Sequence, residues 1–175
     1  MKEHRIGLAL IMILTVMVGC KKDEAVDWRT LNVQWLEHNR ADKGKAWFEA
    51  NNPAGTYDAS CFHETESGLQ YYVLYDGVAP QANPESYVYA FYKGSLITGN
   101  VFDSTSVTSS QFYLSTLVDG MSEGLAKMKT KAEYVFFIPW YLGYGEDGSG
   151  AAGYANYIPP YSTLIFQVQI DACGN

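Results

Sequence analysis

Tyr92-Lys93-Gly94-Ser95-Leu96, then Gly99, then Val101-Phe102-Asp103-Ser104-Thr105, is the stretch on which the reading of this chain turns. It continues a strand-like run from Tyr87 to Tyr92, and further strand-like runs lie on either side of it. Upstream is Gln70 to Tyr75; downstream are a short run near Phe112 to Leu114, then Glu133 to Ile138, then Thr163 to Ile170. In the last of these Leu164, Phe166, Val168 and Ile170 alternate, so they share one face of a strand. One helical signal stands among them: Leu117, Met121, Leu125 and Met128 fall on one stripe, with Asp119 placed to cap the start. Gly120 and Gly124 lower helix propensity but let such a helix approach a sheet closely. Strands bracketing a lone short helix predict an α+β fold, an antiparallel sheet with the helix on its concave face.

The N-terminal part reads differently. Lys2 and Arg5 precede an apolar run from Ile6 to Val18 and then Gly19-Cys20. That run is too short to be kept as a helix across a bilayer of roughly 30 Å, and a small residue before Cys marks the cleavage and lipidation point of a bacterial lipoprotein. The expected division is a signal peptide over 1–19, a lipid-anchored tether and helical extension over 20–66, and a main domain over 67–172. The charged residues 21–24 suit a tether. Trp28, Leu31 and Trp35 recur at helical spacing up to the Asp42-Lys43-Gly44 break, and a second helical turn takes in Trp47 and Phe48. Packing on the main domain and docking on a partner are both open to these aromatics.

From the deciding stretch onward, further motifs follow in order. They are Leu117-Val118-Asp119-Gly120, Glu123-Gly124-Leu125 with Met128, Ile138-Pro139, Leu142-Gly143-Tyr144-Gly145, and Ile158-Pro159-Pro160 with Thr163-Leu164-Ile165-Phe166. From about Ser67 to Asp171 this set resembles the FK506-binding (FKBP) type of peptidyl-prolyl cis-trans isomerase. The resemblance implies a strongly bent antiparallel β-sheet wrapped around one short α-helix, here with a small helical N-terminal extension. It implies rotation about Xaa-Pro peptide bonds of proline-containing polypeptides, in the folding of exported proteins. The alternative is a non-catalytic binding or chaperone module of the cell envelope.

That chemistry requires no nucleophile. The uncatalysed barrier is roughly 18–20 kcal/mol, and a twisted amide has lost its resonance, so a dry, preformed apolar pocket with few donors favours it over the planar form. By resemblance Tyr92, Phe102, Val118, Met121 and Phe166 wall the prolyl-ring pocket, with Leu117 beside it and Tyr157 also on the substrate side. The Tyr144 hydroxyl and the Ile158 backbone N–H hold the substrate's carbonyls, and Asp103 orders Tyr92. Two positions depart from the family pattern: Met121 stands where many members have Trp, and Ser110 where an aromatic residue or Leu is common. FK506-like macrolides are ligands the resemblance allows, with weaker binding expected from these changes. The glycine-rich run 146–153 is longer than the usual family loop and overhangs the pocket. It lacks the Lys and the following helix of a phosphate-binding loop.

A formal net charge of −7 argues against nucleic acid, and removal of residues 1–19 would make the chain more acidic, because Lys2 and Arg5 outweigh Glu3. Beyond residue 19 the histidines are His38 and His63, without metal-ligand spacing, so neither metal nor cofactor is expected. The expected membrane contact is a lipid on Cys20. Cys61 and Cys173 would then remain, either as a disulfide or as two thiols.

Overall fold

A computed structural model describes residues 26–105 and 107–174; the expected signal peptide and Cys20 lie outside the described residues. Two helices lead, α1 (Trp28–Ala41) and α2 (Lys45–Asn51). Strands β1 (Phe62–Glu64), β2 (Gln70–Tyr75), β3 (Val78–Gln81), β4 (Tyr87–Leu96), β5 (Val101–Ser104) and β6 (Ser110–Tyr113) follow. Then come α3 (Asp119–Leu125), β7 (Lys129–Thr130), β8 (Glu133–Ile138) and β9 (Leu164–Gly174).

The main sheet is antiparallel throughout, in the order β1-β2-β8-β9-β4-β5. Strand β9 runs along the whole of β4, from Tyr87↔Gly174 to Leu96↔Leu164. On its other edge β4 pairs first with β6, Tyr87↔Tyr113 to Ala90↔Ser110, and then with β5, Lys93↔Ser104 to Ser95↔Val101. The two short strands part at Tyr92, whose N–H donates to Thr105 Oγ1 (2.9 Å) and whose carbonyl accepts from the Thr105 N–H (2.9 Å). Strands β3 and β7 form a separate small ladder.

Alternation assigns each strand residue to a face. Leu69, Tyr134, Phe136, Ile138, Leu164, Phe166, Val168 and Ile170 join one buried cluster with Met121 and Leu125 of α3. Tyr72, Val135, Phe137 and Ile165 join a second cluster with Leu36 of α1 and Phe48 of α2. The centre of the sheet is thus covered on both sides, which is why β8 is apolar from Tyr134 to Ile138 without a polar break. Ring contacts seal the convex side, with Trp35 and Trp47 at 5.8 and 5.7 Å from Phe137. The aromatics of the extension are therefore spent on this chain's own sheet.

Glycine sets the depth at which α3 sits. A Cβ on Gly120 would lie 2.4 Å from Ile138 Cγ2, and one on Gly124 would lie 2.6 Å from Phe136 Cε1. The helix starts differently from the expectation: its N-cap is Val118, with no side-chain cap bond, and Asp119 stands in the first turn, where a carboxylate faces the positive end of the helix. Leu117 and Met128 lie just outside it.

The stripe expected on α1 is also rotated. Leu31 is 40% exposed, and the buried positions are Asn32, Leu36 and Asn39. Buried asparagine is tolerable here because every contact is paired. Asn39 Nδ2 donates to Gln70 Oε1 (2.9 Å), Gln70 Nε2 donates to the Leu36 carbonyl (3.1 Å), and the Thr163 N–H donates to Asn32 Oδ1 (2.7 Å). The sheet begins with β1, ahead of residue 67, through Phe62↔Tyr72. Cys61 and Cys173 are free thiols that pack against different clusters, Cys61 on the convex side and Cys173 on the concave one.

Candidate active site

Four elements meet at the gap between β5 and β6. Strand β4 contributes Tyr92, β5 contributes Phe102 and Asp103, the start of α3 contributes Val118 and Met121, and β9 contributes Phe166. The Phe102 and Phe166 rings meet edge to face at 5.4 Å, and Tyr92 lies 6.2 Å from Phe166. Met121 and Phe166 are nearly buried, at 7% and 6% exposure, and Tyr92, Phe102, Leu117 and Val118 pack against the same cluster from its open side. This is an apolar surface with aromatic edges, formed at the concave side of the sheet.

Its polar equipment is sparse. The Tyr92 hydroxyl donates to Asp103 Oδ2 at 2.6 Å. Burial, and then this bond, push the Tyr92 phenol well above its ordinary value. The Tyr144 phenol is pushed up as well, first by burial and then by the nearby Asp103 carboxylate. Tyr144 sits at the rim, 39% exposed, with its charge environment shared with Tyr92 and Asp103. Both phenols are therefore held as neutral donors across the neutral range.

Ile158 is buried, but its N–H does not stand free as the resemblance implied. The long loop folds back on itself, so that the Ile158 N–H donates to the Ser149 carbonyl (2.8 Å) and the Ser149 N–H donates to the Ile158 carbonyl (2.9 Å). The physical cause is the loop's length, which lets it turn at Gly148 and Gly150, both with left-handed backbone (φ 69° and 75°). Among the described residues no acceptor takes the N–H of Val118, the residue just before α3. Tyr157 faces a surface depression of about 400 Å³ shared with Phe102, Val101 and Tyr154. A second depression, about 530 Å³, lies along the outer side of α3 near Ser122 and Lys127, away from the aromatic cluster.

Sequence reasoning passed over three contributors. Phe112 meets Tyr92 edge to face at 5.4 Å and supplies the aromatic contact that Ser110, paired with Ala90, does not. Thr105 fixes the Tyr92 backbone. Gly94 leaves room for the two phenylalanine rings, since a Cβ there would stand 2.6 Å from Phe102 and 2.7 Å from Phe166. Of these, Gly94 could have been found, being the residue in a strand run at which only a missing side chain makes sense. Among the described residues no group of three or more His, Cys, Asp or Glu is arranged to hold a metal ion.

Residues 79–171 match the family described as FKBP-type peptidyl-prolyl cis-trans isomerase. A probable FKBP-type peptidyl-prolyl cis-trans isomerase of Haemophilus influenzae is 40% identical over 172 residues, which is 97% of this chain and 64% of that protein. Outer membrane protein MIP of Legionella longbeachae is 32% identical over 136 residues, 77% of this chain and 54% of that protein. The crystal structure of FkpA from Escherichia coli superposes with a TM-score of 0.60 at 27% identity, covering 81% of this chain and 63% of that one. The chain spans less than two thirds of the length of each of these three. A bent antiparallel sheet around one short helix, an ordered motif set and a match over more than half the chain converge: this chain belongs to the FKBP-type peptidyl-prolyl cis-trans isomerase family.

Proposed function

We propose that the protein is a peptidyl-prolyl cis-trans isomerase acting on proline-containing segments of exported polypeptides. The observation that carries this reading is the meeting of Phe102, Phe166, Tyr92 and Met121 in one apolar surface, with the Tyr92–Asp103 bond at its edge. The prolyl ring packs against Met121 and the two phenylalanine edges. In the twisted state the carbonyl of the residue before proline is freed from resonance with the prolyl nitrogen, and the few donors at the rim, the Tyr144 hydroxyl and the Val118 N–H, meet the substrate's carbonyls. Apolar walls desolvate the rotating amide and so favour the less polar twisted form over the planar one. Leu117, Tyr157 and the buried Ile158 side chain complete the substrate side.

We place the protein at the bacterial cell envelope, held to a membrane by a lipid on Cys20 after loss of residues 1–19. Gly19-Cys20 behind a short apolar run supports this, as does likeness to a relative named for the outer membrane. The intact mass of protein from the membrane fraction tests it; a mass without an acyl-sized increment refutes lipidation.

A second reading, a binding or chaperone module without turnover, has one observation in its favour: the Ile158 N–H is already bonded to Ser149. Isomerisation of short Xaa-Pro peptides by the purified protein decides between the two. Acceleration that is lost in Phe102→Ala supports the isomerase. No acceleration with any residue before proline, from folded protein, supports the binding module.

A further inference from the structure

Below the Ser149–Ile158 pair, the long loop between Tyr144 and Ile158 is also held at its base. The Tyr161 N–H donates to the Gly145 carbonyl (2.9 Å), and the Gly145 N–H donates to the Trp140 carbonyl (2.9 Å). Tyr161 holds this place with a left-handed backbone (φ 59°), a conformation unfavourable for a residue with a Cβ and kept only where the surroundings impose it.

The ring of this residue is met by the first turn of α1. The Arg29 guanidinium lies 4.6 Å from the Tyr161 ring centre and 5.3 Å from that of Trp140, and these two rings meet edge to face at 5.1 Å. Beside it Trp28 Nε1 donates to Ser162 Oγ (3.0 Å), and Ser162 Oγ donates to the Pro159 carbonyl (2.7 Å). One turn on, Asn32 Oδ1 accepts from the Thr163 N–H (2.7 Å), with both residues buried. Residues 159, 161, 162 and 163, which separate Ile158 from β9 and Phe166, are thus each tied to the first turns of α1 directly or through one link. Covering the convex face does not require this, because Trp35 and Leu36 already do that further along the helix.

We propose that α1 is a positioning element for the candidate active site: its Trp28, Arg29 and Asn32 fix the base of the long loop, and so set where Tyr144 and Ile158 stand. The catalytic consequence rests on the isomerase reading; the hold on the loop does not. Arg29 touches no substrate and acts through Tyr161 and Trp140.

The test uses the purified protein with Arg29→Gln, Arg29→Lys and Trp28→Phe. Arg29 is exposed, so its replacement leaves the core intact. Two readouts are taken: amide hydrogen exchange at Gly145, Tyr161 and Thr163, referenced to the core amide of Phe137, and kcat and KM on one Xaa-Pro peptide. Arg29→Gln and Trp28→Phe should speed exchange at the loop base roughly three- to tenfold, leave Phe137 unchanged and lower kcat by a comparable factor. Arg29→Lys should recover most of both, since an ammonium also sits favourably over aromatic faces. Unchanged exchange at the loop base overturns the proposal, and so does faster exchange with kcat and KM unaltered. If the unsubstituted protein shows no turnover, the isomerase reading fails by itself. The exchange arm then decides alone whether α1 holds the loop.

Discussion

Adding one methyl group at Gly94 separates the function of the phenylalanine pair from the stability of the fold. A Cβ there would come within 2.6 Å of Phe102 Cε2 and 2.7 Å of Phe166 Cε1. Carbon atoms in contact settle at about 3.5–4.0 Å, so one ring must retreat by about 1 Å. Phe166 is 6% exposed on a strand flanked by β4 and β8, whereas Phe102 stands on the short edge strand β5. Phe102 is therefore the ring that yields. Gly94 does not use the left-handed backbone region, so alanine meets no backbone strain there. Overpacking costs about 1–3 kcal/mol, against which alanine regains about 0.5–1 kcal/mol over glycine within a strand. A net loss of up to about 2.5 kcal/mol lowers Tm by up to about 10 °C. On the proposed isomerase reading kcat/KM should fall further than stability, because a misplacement of about 1 Å in a preorganised site costs on the order of a hundredfold. Peptide isomerisation assays and thermal melts on Gly94→Ala, and on Gly94→Ala with Phe102→Leu, check this. The second substitution should relieve the clash and restore Tm without restoring kcat/KM. Full activity in Gly94→Ala would refute the argument that these two rings wall the site.

Three further outcomes follow from the packing and the charges. Tyr92 and Tyr144 are both raised above the ordinary phenol value of 10.0, so the stability that their neutral forms confer is fully present below pH 10 and is lost as pH rises beyond it. Thermal melts should therefore be insensitive to these groups up to about pH 9.5 and fall above pH 10, with a late phenolate absorbance rise at 295 nm reporting their ionisation. Gly124→Ala drives a Cβ to 2.6 Å from Phe136 beneath α3, and urea melts should show a loss of about 1–3 kcal/mol. Asn39→Ala leaves the buried Gln70 Oε1 without its donor and should cost about 1–3 kcal/mol by the same measurement, while Gln34→Ala, on the exposed side of α1, should cost less than about 0.5 kcal/mol.

Much of the fold was legible because its signals are local. The alternation in Leu164, Phe166, Val168 and Ile170 fixes which side of β9 meets α3 whatever lies beside it, since side-chain direction in a strand has a period of two. Gly120 and Gly124 announced a close helix approach through the mere absence of side chains. The ordered spacing of Tyr92, Phe102, Asp103, Tyr144 and Phe166 carried the family, and with it the side of the molecule on which to look. What only the tertiary structure decided are matters of pairing between distant residues. An apolar stripe cannot reveal that Asn32 and Asn39 are buried, because their burial depends on partners 131 and 31 residues away. Nor can a sequence show that the Ile158 N–H is taken by Ser149 rather than left for a substrate, since a loop's closing bond depends on the path of its backbone. The same holds for Arg29, an exposed cation by every sequence criterion, whose place over Tyr161 exists only because β9 returns beside the start of the first helix.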